Sequence, residues 1–247
     1  MGSEMCIRDR VDRATKGETE TILFNIDYEG SINKDKTAVL RVFAKVFYNH
    51  LGFFGSNLKV AMLEQYITQQ GKMDEFCRLI EEKKGKPWTE VRKAFAFNGK
   101  FIKPALAEAL DISEEDANNW FNDKSATELS VSQLVEDINA YVSTKPANFR
   151  LLFMVDEAGQ YVGTDTDMLL NLQSLVEKIG SECRGKVWVV CTGQEAIDEI
   201  IKVRADEFSR IQARFKTRLS LSSSSVDEVI QKRIPVSYTH LTLPTIR

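Results

Sequence analysis

Residues 21–27, Thr-Ile-Leu-Phe-Asn-Ile-Asp, form a short apolar run that stops at an acid and a Glu29-Gly30 turn, which predicts a buried strand. From Thr37 to about Lys145 the period changes to a helical one. Val39, Val42, Phe43, Val46 and Phe47 fall on one face, and Leu58, Met62, Leu63, Tyr66 and Ile67 repeat the spacing. Further helices are predicted near residues 73–83, 88–97, 103–110, 113–122 and 130–143. Ser113-Glu-Glu-Asp116 has the Ser-x-x-acid form that satisfies open N–H groups at a helix start, and Lys145-Pro146 closes the block. The apolar run over 150–156, Arg-Leu-Leu-Phe-Met-Val-Asp, reads as a strand buried on both faces of a parallel sheet. An amphipathic helix over 165–179, stopped by Gly180, comes next, followed by a strand over 186–192. The pattern then predicts a helix over 194–203, a basic helix through Arg214, a brief strand at 218–221 and a last helix capped by the serines at 223–225. Strands separated by helices define an α/β chain with a parallel sheet, into which a large helical block is inserted after the first strand.

The two ends carry a different signal. Residues 1–10, Met-Gly-Ser-Glu-Met-Cys-Ile-Arg-Asp-Arg, back-translate to GTG GGC TCG GAG ATG TGT ATA AGA GAC AG when GTG serves as the start codon. The reverse complement of the last part of that DNA encodes Val-Ser-Tyr-Thr-His, which is what stands at 236–240. Opposite strands of one element, similar to a transposase-type sequencing adapter, thus account for both termini. Residues 1–10 and 235–247 are expected to be adapter-derived artefact, and 11–234 an internal piece of a longer protein.

Composition narrows the class. The 247 residues include 33 Lys+Arg, 36 Asp+Glu and 43% apolar residues, enough to bury a sizeable core and too balanced in charge for a disordered tail or a generally basic nucleic-acid coat. Removing Arg8, Arg10 and Arg247 together with Glu4 and Asp9 leaves a net charge of −4 over 11–234. No apolar run approaches the roughly 18–20 residues of a membrane span. Cys6, Cys77, Cys183 and Cys191 have neither metal-ligand spacing nor a compact disulfide framework, which points to a reducing, cytoplasmic setting.

Three segments could carry chemistry. The strand over 150–156 ends in Asp156-Glu157, two carboxylates at the end of a parallel strand that faces a ligand crevice. Such a pair suits nucleoside triphosphate hydrolysis, one acid holding Mg²⁺ and the other handling the attacking water. The same residues also fit a strand that ends in a polar turn. The next strand finishes in Thr192-Gly193-Gln194, where a neighbouring strand would meet a γ-phosphate, although a threonine also starts turns. The third segment, residues 202–218, holds Lys202, Arg204, Arg210, Arg214, Lys216 and Arg218 against Asp206 and Glu207. It reads either as a solvated basic face or as a phosphate-recognising one. Phe43, Phe47, Tyr48, Phe53 and Phe54 keep helical spacing and are expected in the core. Cys191 is expected to be a small core residue, and Lys83-Lys84-Gly85-Lys86 a solvated turn with only a weak case for nucleic acid.

Taken with the helical block between them, the runs Thr21-Ile-Leu-Phe-Asn-Ile-Asp27, Leu152-Phe-Met-Val-Asp-Glu-Ala-Gly-Gln-Tyr-Val-Gly-Thr-Asp-Thr-Asp167, Val187-Trp-Val-Val-Cys-Thr-Gly-Gln-Glu195 and Arg214-Phe-Lys-Thr-Arg-Leu-Ser-Leu-Ser-Ser223 resemble the BrxC/PglY-like P-loop ATPases of BREX bacteriophage-exclusion systems. The resemblance implies an incomplete AAA+-like P-loop NTPase core, a parallel sheet lacking the P-loop strand and carrying a large helical insertion. Its parts would be a first core strand and turn at 11–36, the insertion at 37–148, an NTPase core at 149–222 and the start of a helical lid at 223–234. It makes Asp156 the Walker B magnesium residue, Glu157 the catalytic glutamate, Thr192 the sensor 1 residue and Arg214, or failing it Arg218, an arginine finger acting on a neighbouring subunit. ATP and Mg²⁺ are the implied cofactors of the complete protein. Its implied partners are other copies of itself and other BREX components, with DNA reached indirectly and no membrane. No Gly-x-x-x-x-Gly-Lys-Ser/Thr occurs in the chain, so the Walker A loop is expected upstream and the piece itself is expected to be inactive. Two other readings stand beside this one: a non-catalytic helical scaffold, and a DNA-binding segment at 202–218.

Overall fold

The computed structural model describes residues 16–192, apart from 31–34, 36, 124–128 and 163–164. The adapter-like ends, the helices predicted over 194–214, the strand at 218–221 and the last helix lie outside these residues. Among the described residues three parallel strands form one sheet, in the order β1 (Thr19–Asn25), β2 (Arg150–Asp156), β3 (Val187–Cys191). Thr19 pairs with Arg150 and Asn25 with Asp156, while Leu151 pairs with Val187 and Val155 with Cys191. The chain is α/β, and the helical block does enter between the first two strands.

β1 stops short of the predicted Asp27. The Asn25 side chain accepts the N–H groups of Asp27 at 3.0 Å and Tyr28 at 3.2 Å, which diverts the backbone into a single helical turn, α1 (Ile26–Glu29). The block that follows comprises α2 (Ala38–His50), α3 (Leu58–Gln69), α4 (Met73–Lys84), α5 (Trp88–Val91), α6 (Gly99–Leu110), α7 (Glu114–Asn122) and α8 (Val131–Ser143). Where one helix is predicted over 88–97 the structure has α5 followed by a 3₁₀ segment, Arg92–Asn98, which is itself interrupted at Ala94 with φ −118°, ψ 43°. Ser113 caps α7 as its spacing predicts, accepting the Asp116 N–H at 3.0 Å. After β2 come α9 (Ala158–Val162) and α10 (Thr166–Glu182). α10 runs through Gly180 where a stop was predicted. A glycine costs a helix only about 1 kcal/mol, and the chain turns at Arg184 and Gly185, both left-handed at φ 48° and 75°.

Helices α2, α8 and α10 pack on one face of the sheet, against Ile22, Phe24, Leu151, Phe153, Val155 and Val187. The Phe43 ring of α2 sits 5.4 Å from the rings of both Phe24 and Phe153, and Phe47 reaches the same strand. The opposite face is open at its two edge strands among the described residues. Leu23 of β1 is 71% exposed, and Trp188 and Val190 of β3 are 58% and 40% exposed, whereas Leu152 and Met154 of β2 are half-buried there, so the strand expected to be buried on both sides is fully buried on one. The cause is topological. Both crossovers step from β1 toward β3, and right-handed crossovers that step the same way lay their helices on the same face.

Residues 37–148 contribute to two cores. α2 and α8 belong to the core of the sheet, whereas α3 to α7 enclose a second cluster that includes Leu63, Ile67, Phe76, Leu79, Trp88 and Ile102. α3 joins the two, with Ala61 in the first and Val60 in the second, and the adjacent Phe53 and Phe54 divide in the same way. Glu64, 1% exposed, lies in the second cluster. Its carboxylate accepts the Phe54 N–H and the Trp88 indole N–H, both at 2.6 Å, and an Arg92 guanidinium N–H at 2.9 Å. No helix among the described residues is long and apolar enough to cross a membrane.

The start of β1 is tied to the helix layer by Glu20, which accepts from Tyr141 at 2.5 Å and Lys145 at 2.8 Å and lies 2.7 Å from the His50 ring. Desolvation raises this carboxyl, but the hydrogen bonds from Lys145, Tyr141 and His50 outweigh it and hold it at about 2, against an ordinary 4.5. A lowered carboxyl contributes stability above its unfolded value and loses it as pH falls toward the folded one. Glu20→Gln is therefore expected to cost about 1–2 kcal/mol at pH 7. The gap between variant and wild type should close between about pH 4.5 and 2 when urea unfolding is followed across that range.

Candidate functional site

Val155 is the last core residue of β2, and Asp156 emerges exposed at its end. Glu157 then adopts a left-handed backbone, φ 59°, which turns the chain sharply into α9. This turn is laced to the residue after β3. The Thr192 N–H donates to the Val155 carbonyl at 2.9 Å, and the Ala158 N–H donates to the Thr192 carbonyl at 3.2 Å.

The Thr192 side chain joins the two acids. Its hydroxyl donates to Asp156 Oδ1 in a short hydrogen bond and accepts the Glu157 N–H at 3.3 Å. A hydroxyl has one proton to give and two lone pairs, so it can serve both partners at once. Neither Asp156 Oδ2 nor the Glu157 carboxylate has a protein partner among the described residues. The structure thus brings Asp156, Glu157 and Thr192 together at the carboxyl edge of adjacent strands. Arg214 and Arg218, like the whole basic segment at 202–218, lie outside the described residues.

Two further features shape this edge without a clear signal in the sequence. Asn25 pairs with Asp156 in register, and its cap places α1 beside the turn after β2. Tyr161 of α9, 2% exposed, fills the space under Gly30, where an added Cβ would come within 2.6–2.9 Å of the tyrosine ring and its oxygen. Gly30 is therefore required by close approach, not by its dihedral angles. A glycine five residues after a strand-ending asparagine is a usable signal only once the partner ring is known.

The arrangement can hold a hydrated divalent cation through the open Asp156 oxygen and can present the Glu157 carboxylate to a water molecule. Among the described residues no group of three or more His, Cys, Asp or Glu side chains is placed to hold a metal ion. A hydrated Mg²⁺ requires fewer, since one or two carboxylates suffice when water and phosphate oxygens complete its shell. The pair at 156–157 fits that mode and does not fit a protein-only cage. Cys191 is not a nucleophile here. Burial pushes its thiol up to about 12, and its side chain packs on the core of the sheet.

The chain matches no protein-family model, and no solved structure is significantly similar to it.

A left-handed conformation costs a side-chain-bearing residue about 1 kcal/mol relative to glycine. Glu157→Gly is expected to be more stable than Glu157→Ala by about that amount, because only glycine relieves the backbone. Chemical denaturation of the two variants side by side checks this, and equal midpoints would show that the turn is unstrained. Thr192→Val, which keeps shape and removes both hydroxyl bonds, should lower stability by about 1 kcal/mol and speed hydrogen exchange at the Glu157 amide.

Proposed function

We propose that this chain is part of an AAA+-like, Mg²⁺-dependent ATPase resembling the BrxC/PglY-like proteins of bacteriophage-exclusion systems. The observation that carries the reading is the Thr192 hydroxyl, bonded to the carboxylate of Asp156 and to the backbone of Glu157 at the ends of neighbouring parallel strands. Ligands of open parallel sheets sit outside the carboxyl ends of the strands, at the point where the strand order reverses. The open face of the sheet supports such a reversal. A right-handed connection entering β1 from a strand beyond β3 steps against the other two crossovers, and its helix falls on the exposed side of Leu23, Trp188 and Val190. A phosphate-binding loop at the head of that helix would open beside Thr192 and Asp156.

In this reading Asp156 would hold the water shell of the cation, while Thr192 keeps Oδ1 turned toward β3. Glu157, its side chain free of protein partners among the described residues, would orient and deprotonate the attacking water. Mg²⁺ with the triphosphate would supply charge neutralisation at the β- and γ-phosphate oxygens. Arg214 or Arg218 would complete the site of a neighbouring copy in a homo-oligomer, and the ATPase cycle would drive an assembly with other exclusion-system components. The chain itself carries no Walker A sequence and should bind ATP weakly.

The test uses a longer protein that contains the phosphate-binding loop. Glu157→Gln is expected to lower ATP turnover by about 100-fold or more while nucleotide binding persists, and Asp156→Asn to weaken the Mg²⁺ dependence as well. Unchanged turnover in Glu157→Gln would overturn the reading in favour of a non-catalytic scaffold built on the helical block.

A further inference from the structure

The second helical core carries a basic and aromatic surface that the ATPase reading does not use. Phe97, in the 3₁₀ segment, is 90% exposed, the most exposed of the described large hydrophobic side chains. Four residues on, the half-buried Phe101 ring of α6 gathers two ammonium groups over it, Lys84 Nζ from the end of α4 at 4.5 Å and Lys100 Nζ at 4.8 Å from its centroid. Lys83 and Lys86 beside them are neutralised by Glu108 at 2.8 Å and Glu90 at 3.3 Å. Lys84 and Lys100 have no carboxylate partner among the described residues, and neither has Lys93, exposed in the segment that bears Phe97. The chain as a whole is acidic, at net −3, so this concentration of unpaired positive charge around aromatic rings is local.

We infer that Phe97, Phe101, Lys84, Lys93 and Lys100 form a binding surface for single-stranded nucleic acid. Charge complementarity selects a polyanion. The Phe97 ring selects its single-stranded form, since a base within a duplex has no free face to stack on, whereas an unpaired base can lie on this exposed phenyl ring while the ammonium groups gathered at Phe101 meet the phosphates. An acidic protein is disfavoured as the occupant because it would use the lysines and leave Phe97 without a role. The surface belongs to the second core, and it stands or falls independently of the chemistry at Asp156 and Glu157.

The experiment is fluorescence anisotropy of the full chain with a labelled oligo(dT) of roughly 15 nucleotides, titrated over a range of salt. Binding of the single strand in preference to the matching duplex is expected, with a log–log salt slope of about −1 to −2 for two or three neutralised phosphates. Phe97→Ala, at a position too exposed to affect folding, should weaken binding about 5- to 100-fold and leave the slope unchanged. The pair Lys84→Gln and Lys100→Gln together should weaken binding and flatten the slope by about 1. Three results would overturn the inference: no binding at low salt, equal affinity for duplex and single strand, or wild-type affinity in both variants. The last would place any binding on another part of the chain, such as the basic segment at 202–218.

Discussion

The register of the three strands is the constraint on which the rest of the structure depends. Phe153, central in β2, is held between Ile22 of β1 and Val189 of β3, and the Phe43 and Phe47 rings close over it. A strand alternates its side chains, so a slip of one residue would turn Phe153 out and bring Leu152 and Met154 in. Aromatic packing on one face thereby locks the pairing, and the pairing sets which residues come level at the carboxyl edge. Asn25 stands opposite Asp156, and the residue after Cys191 lands where its backbone and hydroxyl both reach the β2 turn. The geometry at 156, 157 and 192 follows from hydrophobic packing some distance below it.

The second core answers to a different interaction. Burying a carboxylate is expensive unless donors replace its water, and Glu64 meets three: a backbone N–H, an indole and a guanidinium. These come from the loop before α3, from α5 and from the 3₁₀ segment that follows it. One side chain thus fixes the mutual placement of elements too short to hold themselves by packing. Because α3 contributes to both cores, displacement of Glu64 would be felt at the sheet through Ala61.

Much of this was legible along the chain. β2 matches its predicted bounds because a continuous apolar run between polar ends has little freedom in where to begin or stop. The long amphipathic helices were equally visible, their apolar faces repeating over three or more turns. Boundaries failed where one polar or small residue decided them. Asn25 ended β1 through its own side chain, Ala94 interrupted a 3₁₀ segment, and Gly180 did not stop a helix. The composition of β2 suggested burial on both faces, but exposure of the second face depends on the direction of the crossovers, which no local window contains. At the site, the residue types and their place at neighbouring strand ends were readable, and the contacts between them were not. Neither the contact between Thr192 and Asp156 nor the left-handed turn at Glu157 has a local sequence signature, because both arise from pairing between segments about 35 residues apart.

The backbone at Glu157 bears on whether the acid pair is merely a polar turn. A strand that had only to turn into α9 would be served better by glycine or asparagine, which occupy the left-handed region at little cost. Glutamate there carries a backbone cost of about 1 kcal/mol, and its carboxylate recovers none of it through a hydrogen bond or ion pair among the described residues. The Thr192 hydroxyl is spent on holding that strained turn and one oxygen of Asp156, and it contributes nothing to the core. Among the described residues no contact offsets that strain, and one oxygen of Asp156 stays open. A polar turn accounts for the residue types and not for their geometry, whereas the cation and water of the proposed ATPase would account for both.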